Sequence, residues 1–225
     1  MHTSLAIQST YEQIEIGLFI NDHQKEIIRE DKRTASKTII THIDTLLKKN
    51  NIKLTELSFI AINQGPAPFT SLRVVIATAN GLSFASKIPL VGVDGLMTFM
   101  NEQHDNAWPH TVTLFNAFNN DVYFGIESPG QEPQTGCAPI EQALATIHQE
   151  MPTASIRFIG NGAPLFRTTI TETFSDQAHI PDLPYYPSLE SINARAQQQW
   201  LLGHTANLLL PLYLKHLHYK SSINQ

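Results

Sequence analysis

Apolar and polar residues alternate along the first part of the chain in a way that predicts three strands in succession. Residues 4–7 form an apolar run, residues 13–20 place isoleucine or leucine at every second position from 14 onward, and a third strand is predicted at 25–29. The pattern then changes to a helical period, because residues 36–49 carry apolar side chains three and four positions apart. The chain is therefore predicted to form three strands before its first helix.

The rest of the chain alternates strands and helices. The further predicted strands cover residues 57–63, 90–93, 111–118, 122–127 and 156–159. The further predicted helices cover residues 70–86, 95–102, 139 onward, 164–174 and 188 onward. Asp94 is the predicted cap of the helix that follows it, and Thr70 or Ser71 is the predicted cap of the helix before that. The second half thus looks like a divergent copy of the first.

A duplicated unit of strands and interleaved helices favours an α/β protein with the actin-like ATPase (ribonuclease-H-like) fold and two similar subdomains. The alternative is a single parallel sheet of the doubly wound type. The early run of three strands without an intervening helix favours the actin-like fold. The polar stretch 103–109 has no apolar period, so we predict subdomains at 1–104 and 105–225, the second with a helical C-terminus.

Composition narrows the class of protein. Hydrophobic residues make up 42% of the chain and charged residues 16%, which is typical of a folded protein. The net charge is -5, and Lys215 and Lys220 in the tail, with His216 and His218 between them, are too few to bind RNA tightly on their own. Cys137 is the only cysteine, which excludes an intrachain disulfide. With neither a long apolar segment nor a secretory signal, we expect a cytoplasmic protein that does not enter the membrane.

The predicted helix at 70–86 is unusually apolar for a surface helix. Its only charged residue is Arg73, and its other non-apolar positions are small and weakly polar. Small residues allow another helix to approach closely, so a second face is available for a neighbouring helix or a partner chain. The pattern leaves open the alternative that this helix is simply central in a protein of two subdomains.

The segment that precedes and opens this helix resembles a family signature. Residues 64–73, QGPAPFTSLR, resemble the Gly-Pro-Gly-Ser-Phe-Thr-Gly-Leu-Arg signature of the TsaB (YeaZ-like) family, and ATANGL at 77–82 and PLVGV at 89–93 follow in the family's order. Weaker similarities lie at 6–10, 116–123, 160–162 and 211–215. Several family positions carry other residues here, which makes the chain a divergent member: Gln8, Ala35, Ala67, Pro68, Ser71, Asn116 and Phe118.

The resemblance implies a scaffold subunit in the synthesis of threonylcarbamoyladenosine in tRNA. It implies direct binding to TsaD, with TsaE in the same complex, and transfer of a threonylcarbamoyl group to the adenosine next to the anticodon in tRNAs that read codons beginning with A. Contact with tRNA would occur mainly through the complex, and a homodimer could use a similar surface. The implied partner-binding residues are Ile39, Ile43, Leu72, Arg73, Ile76, Ala77 and Asn80. The implied motif loop contains Gly65, Pro66, Phe69 and Thr70.

The residues themselves argue against catalysis by this chain. Actin-like ATPases hold magnesium through an acidic residue on the first strand, and Gln8 is the residue at that position. No HxxxH pair is present, His42 is interpreted as a surface or partner-facing residue, and Cys137 has no identifiable catalytic partner. We therefore expect no catalytic residue, no metal site and no cofactor here, with ATP and magnesium bound by the partner subunits. Two alternatives stay open: an actin-like small-molecule kinase, and a self-associating protein without a tRNA role.

Overall fold

The computed structural model describes residues 2–21 and 23–212. Its strands are β1 (Thr3–Ser9), β2 (Gln13–Ile20), β3 (His23–Asp31), β4 (Phe59–Asn63), β5 (Leu90–Val93), β6 (Thr111–Asn116), β7 (Asp121–Glu127), β8 (Gln134–Pro139), β9 (Ile156–Ile159) and β10 (Ala178–His179). Its α-helices are α1 (Ala35–Lys49), α2 (Phe69–Ser86), α3 (Gly95–Glu102), α4 (Ile140–Glu150), α5 (Gly162–Leu165), α6 (Arg167–Phe174) and α7 (Leu189–Leu201). None of these helices is long and apolar enough to cross a membrane.

The chain divides into two units, each built on a five-stranded sheet. The first sheet has the order β3-β2-β1-β4-β5, in which β2 and β3 are antiparallel neighbours and β4 and β5 run parallel to β1. The second sheet has the order β8-β7-β6-β9-β10 with the same pattern of directions. The identical topology confirms the predicted duplication and excludes the single doubly wound sheet.

The first sheet is covered by helices on both faces because its central strands are apolar on both sides. Leu5 and Ile7 of β1 belong to a buried cluster that includes residues of α1 and α2. Ala6 lies on the opposite face, in a cluster that includes Leu189 and Ile192 of α7. The approach of α7 is close, since a Cβ added to Gly17 would lie 2.7 Å from Leu189 Cδ2. Strands buried on both faces explain the nearly continuous apolar runs in this part of the sequence.

The position of α7 corrects the predicted extent of the subdomains. The predicted second subdomain covers 105–225, whereas the first unit contains Met1–His104 together with Pro184–Leu212. The reason is the apolar side of α7, which is buried against strands β1, β4 and β5 of the first sheet. The division between residues 104 and 105 coincides with the predicted one.

Several local features of the second unit differ from the prediction. Strands β8 and β10 were not predicted, and Cys137 lies in β8 opposite Tyr123 of β7. The β8 sequence contains Gly136 and ends in proline, so its strand conformation depends on pairing with β7 rather than on its own propensity. The predicted start of a helix at Pro139 is confirmed, because α4 begins at the next residue.

One of the two helix caps predicted in the first unit is present in the structure and the other is not. The carboxylate of Asp94 accepts hydrogen bonds from the backbone N–H groups of Leu96 and Met97, at 2.9 and 3.0 Å, which confirms the predicted cap of α3. Burial raises the pKa of this carboxyl group, while the two N–H bonds act in the opposite direction. The predicted cap of α2 was wrong, because that helix begins after Pro68 without a side-chain cap.

Candidate partner-binding surface

The loop before α2 is held in place by hydrogen bonds to two other elements. Gly65 has φ of +112°, a backbone conformation that favours glycine, and its peptide bond to Pro66 is cis. The Gly65 N–H donates to Asn63 Oδ1 at 2.9 Å, and the Gly65 carbonyl accepts from the N–H of Gly95 at 2.8 Å. The motif loop is thereby tied both to the end of β4 and to the start of α3.

Ser71 belongs to the inner side of α2. Its hydroxyl group donates to the Pro68 carbonyl at 3.1 Å and accepts from the Ser9 hydroxyl at 2.7 Å. Ser71 is buried, so it connects the first turn of α2 to the end of β1. This role explains why a residue that looked like a helix cap does not act as one.

Four of the predicted partner-binding residues are core residues in this structure. Each has less than 5% of its surface exposed and packs in the apolar cluster beneath the two neighbouring helices: Ile39 and Ile43 of α1, and Leu72 and Ile76 of α2. The sequence could not separate the inner from the outer side of α2, because its apolar residues are spread around the helix. Helices α1 and α2 contact each other directly above this cluster.

The outer side of α2 carries two exposed phenylalanines with small residues between them. Phe69 is half exposed and Phe84 is 78% exposed, although both are large and apolar. The Arg73 guanidinium lies 3.7 Å from the centre of the Phe69 ring, a cation–π contact at the start of the helix. Thr70, also from the motif loop, is exposed in the first turn of the helix.

Ala77 and Gly81 are the small residues between the two phenylalanines on this outer side. Both are exposed, and a Cβ added to Gly81 would have no heavy atom within 4 Å. Glycine is therefore not required at this position by packing within the chain, although it costs helix stability. The neighbouring helix α1 adds one large apolar side chain, Ile40, which is 54% exposed. We call Phe69, Arg73, Ala77, Gly81, Phe84 and Ile40 the α1/α2 outer surface.

Asn80 has a different environment from the other predicted partner-binding residues. Its side-chain amide donates to the Leu209 carbonyl at 3.0 Å, and its side-chain oxygen accepts from the Leu209 N–H at 2.9 Å. Asn80 thus pairs with the backbone of a residue far away in the sequence. Nothing in the sequence pattern near residue 80 could have identified this contact.

Gln8, at the position of the expected acidic residue, lies in a buried network of hydrogen bonds. Its amide nitrogen donates to Glu15 Oε2 at 2.7 Å and to the Pro187 carbonyl at 3.0 Å. Its side-chain oxygen accepts from Asn63 Nδ2 at 3.1 Å. Both hydrogens of the amide and its oxygen are therefore used within the chain.

Glu15, the acidic member of this network, is also fully engaged. Its second carboxylate oxygen accepts from Arg29 Nε and from Gln13 Nε2, both at 2.9 Å. Nearby, burial and a hydrogen bond with Glu12 raise the pKa of Tyr186 to about 12. The site resembles a stabilising polar core more than an open ligand site.

The other residues considered for catalysis are dispersed. Within residues 2–21 and 23–212, no group of three or more His, Cys, Asp or Glu side chains could hold a metal ion. His42 Nε2 lies 2.9 Å from Glu30 Oε2, in a pair between α1 and β3. The tail residues Lys215, His216, His218 and Lys220, with most of the 211–215 similarity, lie outside the described residues.

Comparison with known proteins gives a consistent result. The family model for tRNA N6-adenosine threonylcarbamoyltransferase, TsaD, matches residues 25–188. Among curated relatives, the tRNA threonylcarbamoyladenosine biosynthesis protein TsaB of Haemophilus influenzae is 27% identical over 123 residues, which are 54% of this chain and 52% of that protein. TsaB of Buchnera aphidicola subsp. Baizongia pistaciae is 23% identical over 223 residues, 95% of this chain and 98% of the relative. The chain thus spans about half of the first relative and nearly all of the second.

Solved structures show the same fold. YeaZ from Pseudomonas aeruginosa superposes with a TM-score of 0.70 at 20% identity, covering 95% of this chain and 100% of that one. A putative N-acetylmannosamine kinase from Listeria monocytogenes superposes with a TM-score of 0.52 at 10% identity, covering 88% and 99%. At these identities the likeness concerns the fold alone, and it confirms the predicted actin-like architecture with two similar subdomains.

Proposed function

Because the chain belongs to the TsaB (YeaZ-like) branch of the tRNA N6-adenosine threonylcarbamoyltransferase family, we propose that it is a non-catalytic scaffold subunit in the synthesis of threonylcarbamoyladenosine in tRNA. In this proposal it binds and activates a TsaD subunit, with TsaE joining the complex. The complex transfers a threonylcarbamoyl group to the adenosine next to the anticodon of tRNAs that read codons beginning with A.

The main support for the proposal is the α1/α2 outer surface. Phe69 and Phe84 on one helix, and Ile40 on the helix that contacts it, are large apolar side chains exposed to water, and cover by another surface would be favourable. Ala77 and Gly81 lie between the two aromatic residues along the helix and leave room for the backbone of a partner helix. The buried residues Ile39, Ile43, Leu72 and Ile76 support this surface from beneath.

The relationship between the chain and TsaD supports the choice of partner. The TsaD family model matches a region that includes both α1 and α2. Two chains of one family can pair through equivalent elements, with a pseudo-twofold axis between them. A homodimer would use the same surface, so the two assemblies would compete.

The network around Gln8 supports a non-catalytic role. Magnesium prefers charged oxygen ligands, and here the relevant position is a neutral amide whose donors and acceptor are bonded within the chain. Glu15 is held by Arg29, Gln13 and Gln8, so releasing it to bind a cation would break several hydrogen bonds. A kinase would require this network to rearrange.

The direct test is binding of the purified chain to a TsaD subunit, measured by isothermal titration calorimetry. Ala77→Arg and Arg73→Glu are expected to reduce affinity by at least about tenfold while leaving the circular dichroism spectrum and the melting temperature close to wild type. Leu165→Ser is the control, because Leu165 is an exposed apolar residue of the second unit. Unchanged binding by both α2 variants would contradict the assigned surface.

The cellular test is mass spectrometry of tRNA nucleosides after depletion of the protein. Threonylcarbamoyladenosine should be lost, and it should be restored by the wild type and by Leu165→Ser but not by Ala77→Arg. Unchanged modification after depletion would contradict the tRNA role. Self-association that is abolished by Ala77→Arg, without any binding to TsaD, would instead support the homodimer alternative.

A further inference from the structure

Hydrogen bonds to the backbone of residues 206–212 hold this segment beside α2. Ala206 exchanges two backbone hydrogen bonds of 2.9 Å with Leu90, which extends the first sheet beyond β5. The Asn80 amide pairs with the N–H and carbonyl of Leu209. Gln64 Nε2 donates to the Leu210 carbonyl at 2.6 Å, and the Leu212 N–H donates to the Gln64 carbonyl at 2.9 Å. The segment is therefore an ordered part of the first unit, held by hydrogen bonds to other parts of that unit.

The leucines of this segment alternate between core and solvent. Leu209 is 7% exposed and belongs to the same apolar cluster as α1 and α2, with its Cδ2 atom 3.0 Å from where a Gly92 Cβ would be. Its neighbours Leu208 and Leu210 are 65% and 68% exposed. Burying Leu209 anchors the segment, whereas the two exposed leucines contribute little to the core of this chain.

These exposed leucines lie next to the α1/α2 outer surface. Asn80, which holds Leu209, is three positions from Ala77 and four from Phe84, and residues at these spacings are neighbours on one side of a helix. The order across this face of the sheet is α1, then α2, then the 206–212 segment, since α1 contacts β2 and β3, α2 contacts β1, β4 and β5, and Ala206 pairs beyond β5. The apolar surface thus continues beyond α2.

We propose that Leu208 and Leu210 form a third part of the partner-binding surface and contact the same TsaD subunit that covers α2. The inference rests on the proposed function, because the occupant is chosen by continuity with the α1/α2 outer surface. Asn80 is then a positioning residue: it acts on the partner through the backbone of Leu209, which sets where the two exposed leucines are presented. The partner must offer an apolar surface wide enough to cover both α2 and the segment.

The first experiment compares leucine variants of matched exposure. Leu208→Ser/Leu210→Ser is expected to weaken binding of the full-length chain to the TsaD subunit by about tenfold or more, because two apolar side chains lose their cover. The matched control is Leu201→Ser, since Leu201 is 69% exposed at the end of α7, which packs on the opposite face of the sheet. The control should bind like wild type.

The second experiment separates positioning by Asn80 from direct contact. Asn80→Ala should weaken binding and also speed amide hydrogen exchange at Leu209, because both of its backbone hydrogen bonds are lost. The double leucine variant should weaken binding without changing that exchange rate. A variant at Asn80 that speeds exchange but binds normally would overturn the positioning role.

The outcomes distinguish this inference from the proposed function. If Ala77→Arg abolishes binding and the double leucine variant binds like wild type, the inference is wrong while the scaffold proposal stands. If neither variant alters binding, the scaffold surface itself is wrong. If the leucine variant changes only self-association in sedimentation equilibrium, the occupant is a second copy and the inference is overturned.

Discussion

Gln8 and Glu15 face each other across the first two strands and share a buried hydrogen bond of 2.7 Å between amide nitrogen and carboxylate oxygen. The neutral amide is well suited to this neighbour, because an acidic residue at position 8 would place two carboxylates together. The pair thus explains in physical terms why the acidic residue expected at this position of an actin-like ATPase would be unfavourable in this sequence.

Gln8→Asp should destabilise the protein by about 3 kcal/mol near pH 7, because a donor is lost and a second charge is buried beside Glu15. Repulsion raises the pKa of one carboxyl group in the folded variant, so the folded state binds more protons than the unfolded state. The stability deficit should therefore shrink as the pH falls from 7 to 5, as measured by urea denaturation. Gln24→Asp, at an exposed position of β3, should show neither effect.

The isolated protein should not bind ATP in a magnesium-dependent manner. The reason is the engaged amide of Gln8 and the three partners of the Glu15 carboxylate, which leave no charged oxygen available to the cation there. Calorimetric titration with ATP, with and without magnesium, measures this directly. Micromolar binding that requires magnesium, followed by phosphoryl transfer, would favour the kinase alternative over the scaffold proposal.

Gly81→Ala should separate stability from partner binding. Replacing an exposed helical glycine by alanine stabilises a helix by about 0.5–1 kcal/mol, and the added Cβ meets no atom of this chain. The melting temperature should therefore rise, whereas affinity for the TsaD subunit should fall because the approach of its backbone is restricted. A variant that is more stable and binds equally well would argue against close helix packing at this position.

Gly17→Ala should have the opposite effect on stability. Its Cβ would lie 2.7 Å from Leu189 Cδ2 and 2.9 Å from Phe19 Cε2, and both side chains are buried. We expect a loss of about 1–3 kcal/mol from overpacking, measured by thermal and urea denaturation. Unchanged stability would mean that α7 does not pack on β2 as described.

The sequence predicted best those elements whose stability comes from their own pattern. The alternation in β2 and the apolar stripe of α1 were sufficient to predict both elements, and Asp94 was recognised as a cap because its role depends on nearby residues. The resemblance at residues 64–73 led to the correct family. These features depend on residues that are close together in the sequence, so the sequence alone is enough to predict them.

The features that escaped prediction depend on distant parts of the chain. Strand β8 exists because β7 offers it a partner, and the assignment of α7 to the first unit follows from strands far earlier in the sequence. Asn80 looked like a partner-facing residue, but its amide holds Leu209. The uniformly apolar composition of α2 gave no indication of which residues, such as Ile76 or Phe84, would face the core or the solvent.

The return of Pro184–Leu212 to the first unit means that residues 105–183 are an insertion within it. Within the described residues the second unit is contiguous in sequence, so it can complete its sheet during synthesis as soon as β10 has emerged. The first unit must wait, because β1 obtains α7 and the Leu209 anchor only after residues 105–183 have been made. A nascent chain therefore exposes one face of its first sheet while the second unit is made, and the 206–212 part of the surface proposed to bind a partner is added only after that unit.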